Sequence, residues 1–433
     1  MPKASGKAQE HKLKAKGLLA EFLRYAGGRG LVSSCWLVGG TVRDMLLGVR
    51  KPADIDIACR ADIMALARGF AVESGGSFVL LDELFGIARV VKGQEHLDLS
   101  RLRGEDIEDD LRERDITINA MALALERGSA TARQCGGNAR GGRLIDPLGG
   151  RKDLMRGRIR IISEKNLRDD PLRVLRCYRF MTMSGFRIER HTARVLRRLA
   201  PLLAAPAKER ITEELKYILL SGSAALIMDR MRRDGALRYI MPGASVRGIR
   251  ALKELDRLSA DFPFVKQLGY VAEREALPMK LAALAWTGGR PLKRLLLSTA
   301  QVQAAINIPV FARRFLRLYK NKSGRAAIVR AMRDSGDSIY VYLLSACARS
   351  GGRGNVVFLK FAESLLEDYV KNIRPKLGKK LITGNDLMSE FGLSPSPLIG
   401  KILDRVEILW LMGKIENRRE ALEEVKKFLE VAY

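Results

Sequence analysis

Up to about residue 165 the chain alternates apolar and polar positions in short runs, predicting strands near 35–38, 54–58, 78–81, 87–91, 95–100 and 158–162 with helical stretches between them. Beyond Asn166 the period lengthens. Leu172 to Met183, Thr192 to Leu203 and Arg210 to Leu220 place apolar residues three and four apart with charges opposite, the stripe of an amphipathic helix. The change of period predicts an α+β head followed by an all-helical remainder.

The first candidate chemistry sits where a strand meets a helix. Cys35-Trp36-Leu37-Val38 reads as a buried strand, Gly39-Gly40 as a tight turn, and Thr41 to Leu47 as a helix whose N-terminal amides face an anion. Arg43 lies in that first turn. In Ala53-Asp54-Ile55-Asp56-Ile57-Ala58 the alternation puts Asp54 and Asp56 on one face and the isoleucines on the other. Paired carboxylates make an oxygen site suited to Mg²⁺, which completes its shell with water and phosphate oxygens. Asp98, in the alternating segment His96-Leu97-Asp98-Leu99-Ser100, is a third candidate. Three such groups would hold two ions, one activating a hydroxyl and one stabilising a leaving pyrophosphate. Alone, a Gly-Gly turn or a D-x-D strand is commonly just a turn or a solvated edge. Their order within one strand-turn-helix-strand unit is what points to phosphoryl chemistry on a nucleotide.

Three further blocks come after it: Arg114-Asp115-Ile116-Thr117-Ile118-Asn119-Ala120, Asp146-Pro147-Leu148-Gly149-Gly150, and Asp169-Asp170-Pro171-Leu172-Arg173-Val174-Leu175-Arg176-Cys177-Tyr178-Arg179-Phe180. In this order and spacing the chain resembles the class II tRNA nucleotidyltransferase (CCA-adding enzyme) and bacterial poly(A) polymerase family over residues 31–220. A weaker likeness returns in Ile382-Thr383-Gly384-Asn385-Asp386-Leu387-Met388 and Gly392 to Gly400, with Ser396 where a glycine is frequent. The resemblance implies a polymerase-beta-like nucleotidyltransferase head and a helical neck, body and tail. Its expected divisions are 1–30 (basic arm and first helix), 31–165 (head), 166–240 (neck with the base-selecting helix), 241–370 (body) and 371–433 (tRNA-binding tail).

The resemblance also implies roles. Gly39, Gly40 and Arg43 would meet the triphosphate, Asp54 and Asp56 would ligate Mg²⁺, and Arg114, Asp115 and Asn119 would face the ribose. Glu113 stands where the family commonly has a second arginine. Asp170 and Arg173 would select the base, with Arg176 and Arg179 continuing the helix toward the triphosphate. Base selection has a physical argument of its own: cytosine and adenine each place an exocyclic amine donor beside a ring-nitrogen acceptor, matching an aspartate and an arginine. Guanine and uracil would leave polar groups unpaired in a desolvated pocket. Residues three apart share a helix face, so the pair can act together. Read alone, the same helix is an ordinary amphipathic one with Asp170 and Pro171 at its start.

Size and charge narrow the partners. A chain of 433 residues has room for about three domains, and 77 Lys plus Arg against 49 Asp plus Glu give a net charge of +28. That excess points to a polyanion held largely through its phosphates. With aromatics at 6%, backbone and shape recognition are favoured over base stacking. The Lys3 to Lys16 arm and the dense cations Arg313, Arg314, Arg317, Lys320, Lys322 and Arg325 are candidate RNA contacts. Cys35, Cys59, Cys135, Cys177 and Cys347 show no metal-ligand spacing and read as reduced thiols in a cytoplasmic protein, with no zinc. No apolar run has membrane-spanning length, and no sequence feature fixes an oligomeric state.

The expected activity is template-independent addition of C and/or A to the tRNA 3′ end from CTP and ATP, releasing pyrophosphate. Full CCA addition and partial CC or A addition both remain open. The segment between Asp98 and Arg114 is short, and a flexible loop there is associated in this family with the switch to A addition. A poly(A) polymerase is the alternative within the family, and a non-catalytic RNA-binding protein on the same scaffold the alternative outside it. The histidines His11, His96 and His191 include no His-Asp pair, which disfavours a phosphohydrolase.

Overall fold

The computed structural model describes residues 12–13, 17–49, 55–83, 85–125, 139–140, 142–259, 262, 265–285, 292 and 294–432. The chain divides into two compact units, Met1–Pro206 and Ala207–Tyr433.

The first unit carries helices α1 (Leu18–Gly28), α2 (Gly39–Leu46), α3 (Ile63–Ser74), α4 (Ile107–Arg112), α5 (Gly150–Met155), α6 (Glu164–Asp169), α7 (Leu172–Arg179) and α8 (Arg190–Leu199). Its sheet contains β1 (Cys35–Val38), β2 (Ile55–Cys59), β3 (Ser77–Asp82), β4 (Ile87–Lys92), β5 (Glu95–Arg101), β6 (Ala122–Ala124) and β7 (Leu144–Ile145). The spatial order is β3-β4-β5-β2-β1-β6-β7. Only the central β2–β5 pairing is parallel, and it aligns Asp56 with Asp98. Alternation along β5 buries Leu97 and Leu99 while leaving Asp98 half-buried on the opposite face. Helices α1 and α3 pack on the sheet, and Phe22 meets Phe70 edge-on at 5.3 Å.

Most expected elements form, with instructive departures. The helix expected from Thr41 begins at Gly39, so both glycines lie in its first turn. The strand expected over 158–162 is only Arg158–Ile159, paired parallel with Arg187–Ile188. Two residues of the basic arm, Lys12–Leu13, pair antiparallel with Ala139–Arg140. By composition Gly136-Gly137-Asn138-Ala139-Arg140-Gly141-Gly142 reads as a turn or surface loop, and most of it, like the rest of the Lys3 to Lys16 arm, lies outside the described residues. Cys35 and Cys59 oppose each other across β1 and β2 with sulfurs 2.9 Å apart. The hydrogen bond to Cys35 and burial push the Cys59 thiol up, as suits a protonated core residue.

The second unit is helical in all its regular elements among the described residues: α9 (Lys208–Leu219), α10 (Ala224–Arg233), α11 (Leu237–Ile240), α12 (Val246–Leu258), α13 (Val265–Arg274), α14 (Ala276–Leu284), α15 (Thr299–Lys320), α16 (Arg325–Ser335), α17 (Ile339–Ser350), α18 (Val356–Asp368), α19 (Gly384–Phe391), α20 (Pro397–Leu411) and α21 (Arg418–Ala432). Helix α17 is apolar nearly all round, and it is buried among α12, α14 and α15. Reciprocal caps start α15 (Ser298 with Gln301) and α19 (Thr383 with Asp386). On the dense cationic stretch Arg313, Arg317 and Lys320 are exposed at helical spacing, whereas Arg314 pairs with Asp334 and Arg325 with Asp368. Among the described residues no helix is long and apolar enough to cross a membrane.

Candidate active site

The site begins at the two glycines. Gly39 has φ +65°, and a Cβ there would stand 2.8 Å from Arg114 Nη1 and 3.4 Å from Asp56 Oδ2. At Gly40 a Cβ would stand 3.5 Å from Arg43 Nη2 and 3.7 Å from Asp56 Oδ2. The left-handed backbone at Gly39 and the absent side chains leave a bare floor where two guanidinium groups and a carboxylate converge. The Asp56 amide donates to Thr41 Oγ1 at 2.7 Å, tying β2 to the first turn of α2.

A continuous polar chain leads from there to α7. Arg43 donates through Nε to Asp44 Oδ1 and through Nη1 to Asn119 Oδ1, each at 2.8 Å. Asn119 Nδ2 donates to Asp115 Oδ1 at 3.2 Å, and Arg176 Nε donates to Asp115 Oδ2 at 2.8 Å. Burial opposes ionisation of Asp115, but the Arg176 charge and the bonds from Arg176, Asn119 and the Ile116 amide outweigh it and hold the carboxyl below the usual aspartate range.

Arg114 is aimed by Asp110, whose Oδ2 accepts from Nε at 3.0 Å and Nη2 at 2.8 Å. Arg173 donates through Nη1 to the carbonyls of Glu113 at 2.8 Å and Asn166 at 3.1 Å, with its Nε 3.9 Å from Asp170 Oδ2. Burial lowers the Arg173 pKa, yet it stays a cation at neutral pH. Asp170 Oδ1 accepts from the Leu172 amide at 3.2 Å, so this residue also caps α7. Arg179 lies over the Phe180 ring at 4.9 Å.

The expected residues Gly39, Gly40, Arg43, Asp56, Arg114, Asp115, Asn119, Asp170, Arg173, Arg176 and Arg179 thus all fall in this first unit, most in direct contact. Asp54 lies outside the described residues. Asp98 reaches the flank of Asp56, but both its oxygens are engaged by Arg89, at 2.7 Å from Nε and 2.8 Å from Nη2. Among the described residues no group of three metal-ligating side chains converges. A single carboxylate beside a bare glycine turn and two cations still fits a hard cation shared with phosphate oxygens. Two contributors were missed in sequence. Asp110 was visible as the i−4 partner of Arg114, and Asn166 as the third residue after the capping Ser163.

Family models match three stretches: the Poly A polymerase head domain at residues 35–160, the probable RNA and SrmB-binding site of polymerase A at 185–265, and the putative tRNA nucleotidyltransferase domain 2 at 359–425. A CC-adding tRNA nucleotidyltransferase of Synechocystis sp. is 31% identical over 402 residues, covering 89% of this chain and 91% of that protein. The chain belongs to the tRNA nucleotidyltransferase family. An A-adding tRNA nucleotidyltransferase of Deinococcus radiodurans is 30% identical over 433 residues, covering 91% of this chain and 95% of that one. A CCA-adding enzyme solved with ATP superposes with a TM-score of 0.72 at 24% identity, covering 95% of each chain, which supports the α+β head and helical remainder. Enzymes of the tRNA nucleotidyltransferase family depend on a divalent metal ion.

Proposed function

We propose that this enzyme extends tRNA 3′ ends without a nucleic-acid template, adding C from CTP and leaving the terminal A to another activity. The observation that carries the preference for C is the connector between β5 and α4, residues 102–106, which leaves no room for the flexible loop associated in this family with A addition. Addition of A, or of the full CCA, is the second reading, favoured by the 30% identity to the A-adding relative. Poly(A) synthesis is disfavoured by the match of the last helices to the tRNA nucleotidyltransferase domain.

In this reading Asp54 and Asp56 hold Mg²⁺, and Gly39 and Gly40 let the triphosphate approach the backbone. When bound, the cation supplies positive charge at the phosphates and eases loss of the hydroxyl proton. Arg43 spreads the remaining charge of the triphosphate over its guanidinium group, and Arg114, expected at the ribose, reaches the same glycine floor and adds a second cation there. The tRNA 3′ oxygen bonds to the α-phosphorus as the bond to the β-phosphate bridging oxygen breaks, and the pyrophosphate carries off that electron pair. Asp170 and Arg173 meet the amine and ring nitrogen of cytosine, and Arg176 acts through Asp115. Asp98, paired with Arg89, contributes charge at the edge of the metal site. A cytoplasmic location agrees with a tRNA substrate and with four free, buried cysteines among the described residues.

The test is incubation of purified protein and Mg²⁺ with tRNA transcripts ending before CCA or after CC, each with one nucleoside triphosphate. Two C residues on the first transcript and nothing on the second is the expected result. Extension of the second by one A supports the CCA reading, and long tracts on generic RNA support poly(A) synthesis. No incorporation on any substrate would support a non-catalytic RNA-binding scaffold.

A further inference from the structure

Asn166 lies in none of the side-chain contacts drawn above to the triphosphate, ribose or base, yet it bonds to both ends of the site. Its side chain is buried at 7% exposure in the first turn of α6, and Ser163 fixes its orientation: Ser163 Oγ accepts from the Asn166 amide at 3.1 Å and donates to Oδ1 at 2.6 Å. With Oδ1 held, the two Nδ2 protons point outward. They reach the Arg112 carbonyl at 2.7 Å and the Arg114 carbonyl at 2.8 Å.

Those carbonyls leave the C-terminal end of α4, where intrahelical partners run out. Arg173 takes the one between them, Glu113 O, and also bonds the backbone carbonyl of Asn166. Three consecutive carbonyls are therefore bound from α6 and α7, two by Asn166 and one by the candidate base-reading arginine. The same turn launches Arg114 toward Gly39 and Asp115 toward Arg176.

We infer that Asn166 is a positioning residue for nucleotide selection: its amide fixes the separation between the triphosphate-facing Arg114 and the base-facing Arg173. The inference rests on the nucleotidyltransferase reading and goes beyond it. The physical ground is that a buried primary amide supplies two donors at a fixed angle, something no hydroxyl or aliphatic side chain reproduces. A turn released by about 1 Å would still bind RNA, but would no longer register triphosphate and base together.

The experiment compares wild type, Asn166→Ala, Asn166→Ser and Ser163→Ala. Measured for each are kcat and KM for CTP, the ratio of CTP to UTP incorporation on a transcript ending before CCA, tRNA affinity without nucleotide, and Tm. Asn166→Ala should raise KM for CTP about tenfold or more and lower the CTP/UTP ratio by a similar factor, with tRNA affinity unchanged. Asn166→Ser, keeping one donor, should fall between. Ser163→Ala removes the helix cap and the bond that holds Oδ1 but keeps both Nδ2 donors, so it should lower Tm and reduce the CTP/UTP ratio clearly less than Asn166→Ala does. A merely structural role for Asn166 would show as equal losses in Ser163→Ala and the Asn166 variants at matched Tm, or as a Tm loss with unaltered KM and ratio; either overturns the inference. Should Asn166→Ala not fold, an unchanged ratio in Asn166→Ser overturns it equally. Wild type inert toward every triphosphate would instead sink the nucleotidyltransferase reading, and this inference with it.

Discussion

Arg176 reaches across from α7 to Asp115, Nε to Oδ2 at 2.8 Å, and so compensates a carboxylate that is only 4% exposed. Removing the cation while leaving the buried anion should cost about 3 kcal/mol. The pH dependence has a definite sign. In wild type the Asp115 pKa lies below its unfolded value, so its contribution is fully present above the ordinary aspartate range near about 4 and is lost as pH falls through the depressed value. In Arg176→Ala, burial opposes ionisation without its main counterweight, so stability should decline as pH rises above that range. Urea unfolding of both proteins from about pH 3 to about pH 7 should show a widening gap. A pH-independent gap would refute this account of Asp115.

Asp56→Asn should reduce kcat for nucleotide addition by about a thousandfold or more, since the amide cannot supply the negative charge a hard cation requires. Affinity for tRNA should stay within about twofold, because RNA is held chiefly through its phosphates by cations elsewhere. Single-turnover assays with saturating tRNA, together with filter binding, separate the two. A variant retaining most of wild-type activity would remove Asp56 from the chemistry.

The two glycines should respond differently to a methyl group. Gly39→Ala meets both a positive φ and Arg114 Nη1 at 2.8 Å, and should lose about 1–2 kcal/mol of stability along with activity. Gly40→Ala has neither problem within the protein and should fold normally, while KM for CTP rises about tenfold because the methyl occupies the approach of a phosphate. Equal stability losses, or an unaltered KM in Gly40→Ala, would contradict the proposed floor.

Arg89→Ala leaves the Asp98 carboxylate uncompensated beside Asp56. The half-activating Mg²⁺ concentration should fall about threefold as local negative charge rises. A titration of activity against Mg²⁺ reads this directly. An unshifted midpoint would confine the Arg89–Asp98 pair to holding the sheet together.

Local chemistry was the legible part of this chain. The strand at 35–38, the alternation that sets Asp98 between buried Leu97 and Leu99, and the helix from Leu172 all arise from periodicity over a few residues. The two-residue strand β7 and three-residue strand β6 carry too few positions to show a period. Contacts between distant segments were opaque for another reason. Nothing near Asp98 announces that Arg89 will oppose it, because that depends on the β4–β5 register. Asn166 reads locally as a capping residue, and its bonds to carbonyls more than fifty positions earlier exist only once α6 packs beside the end of α4.

The bare glycine turn, the capping Asp170 and the helix bearing Arg173 belong to the same compact unit, Met1–Pro206. Under the proposed function, a recombination junction just beyond Pro206 would therefore carry the phosphate floor and the base-reading pair across together. On the same reading, exchanging the helical unit Ala207–Tyr433 for a relative's counterpart would leave the spelling with the first unit.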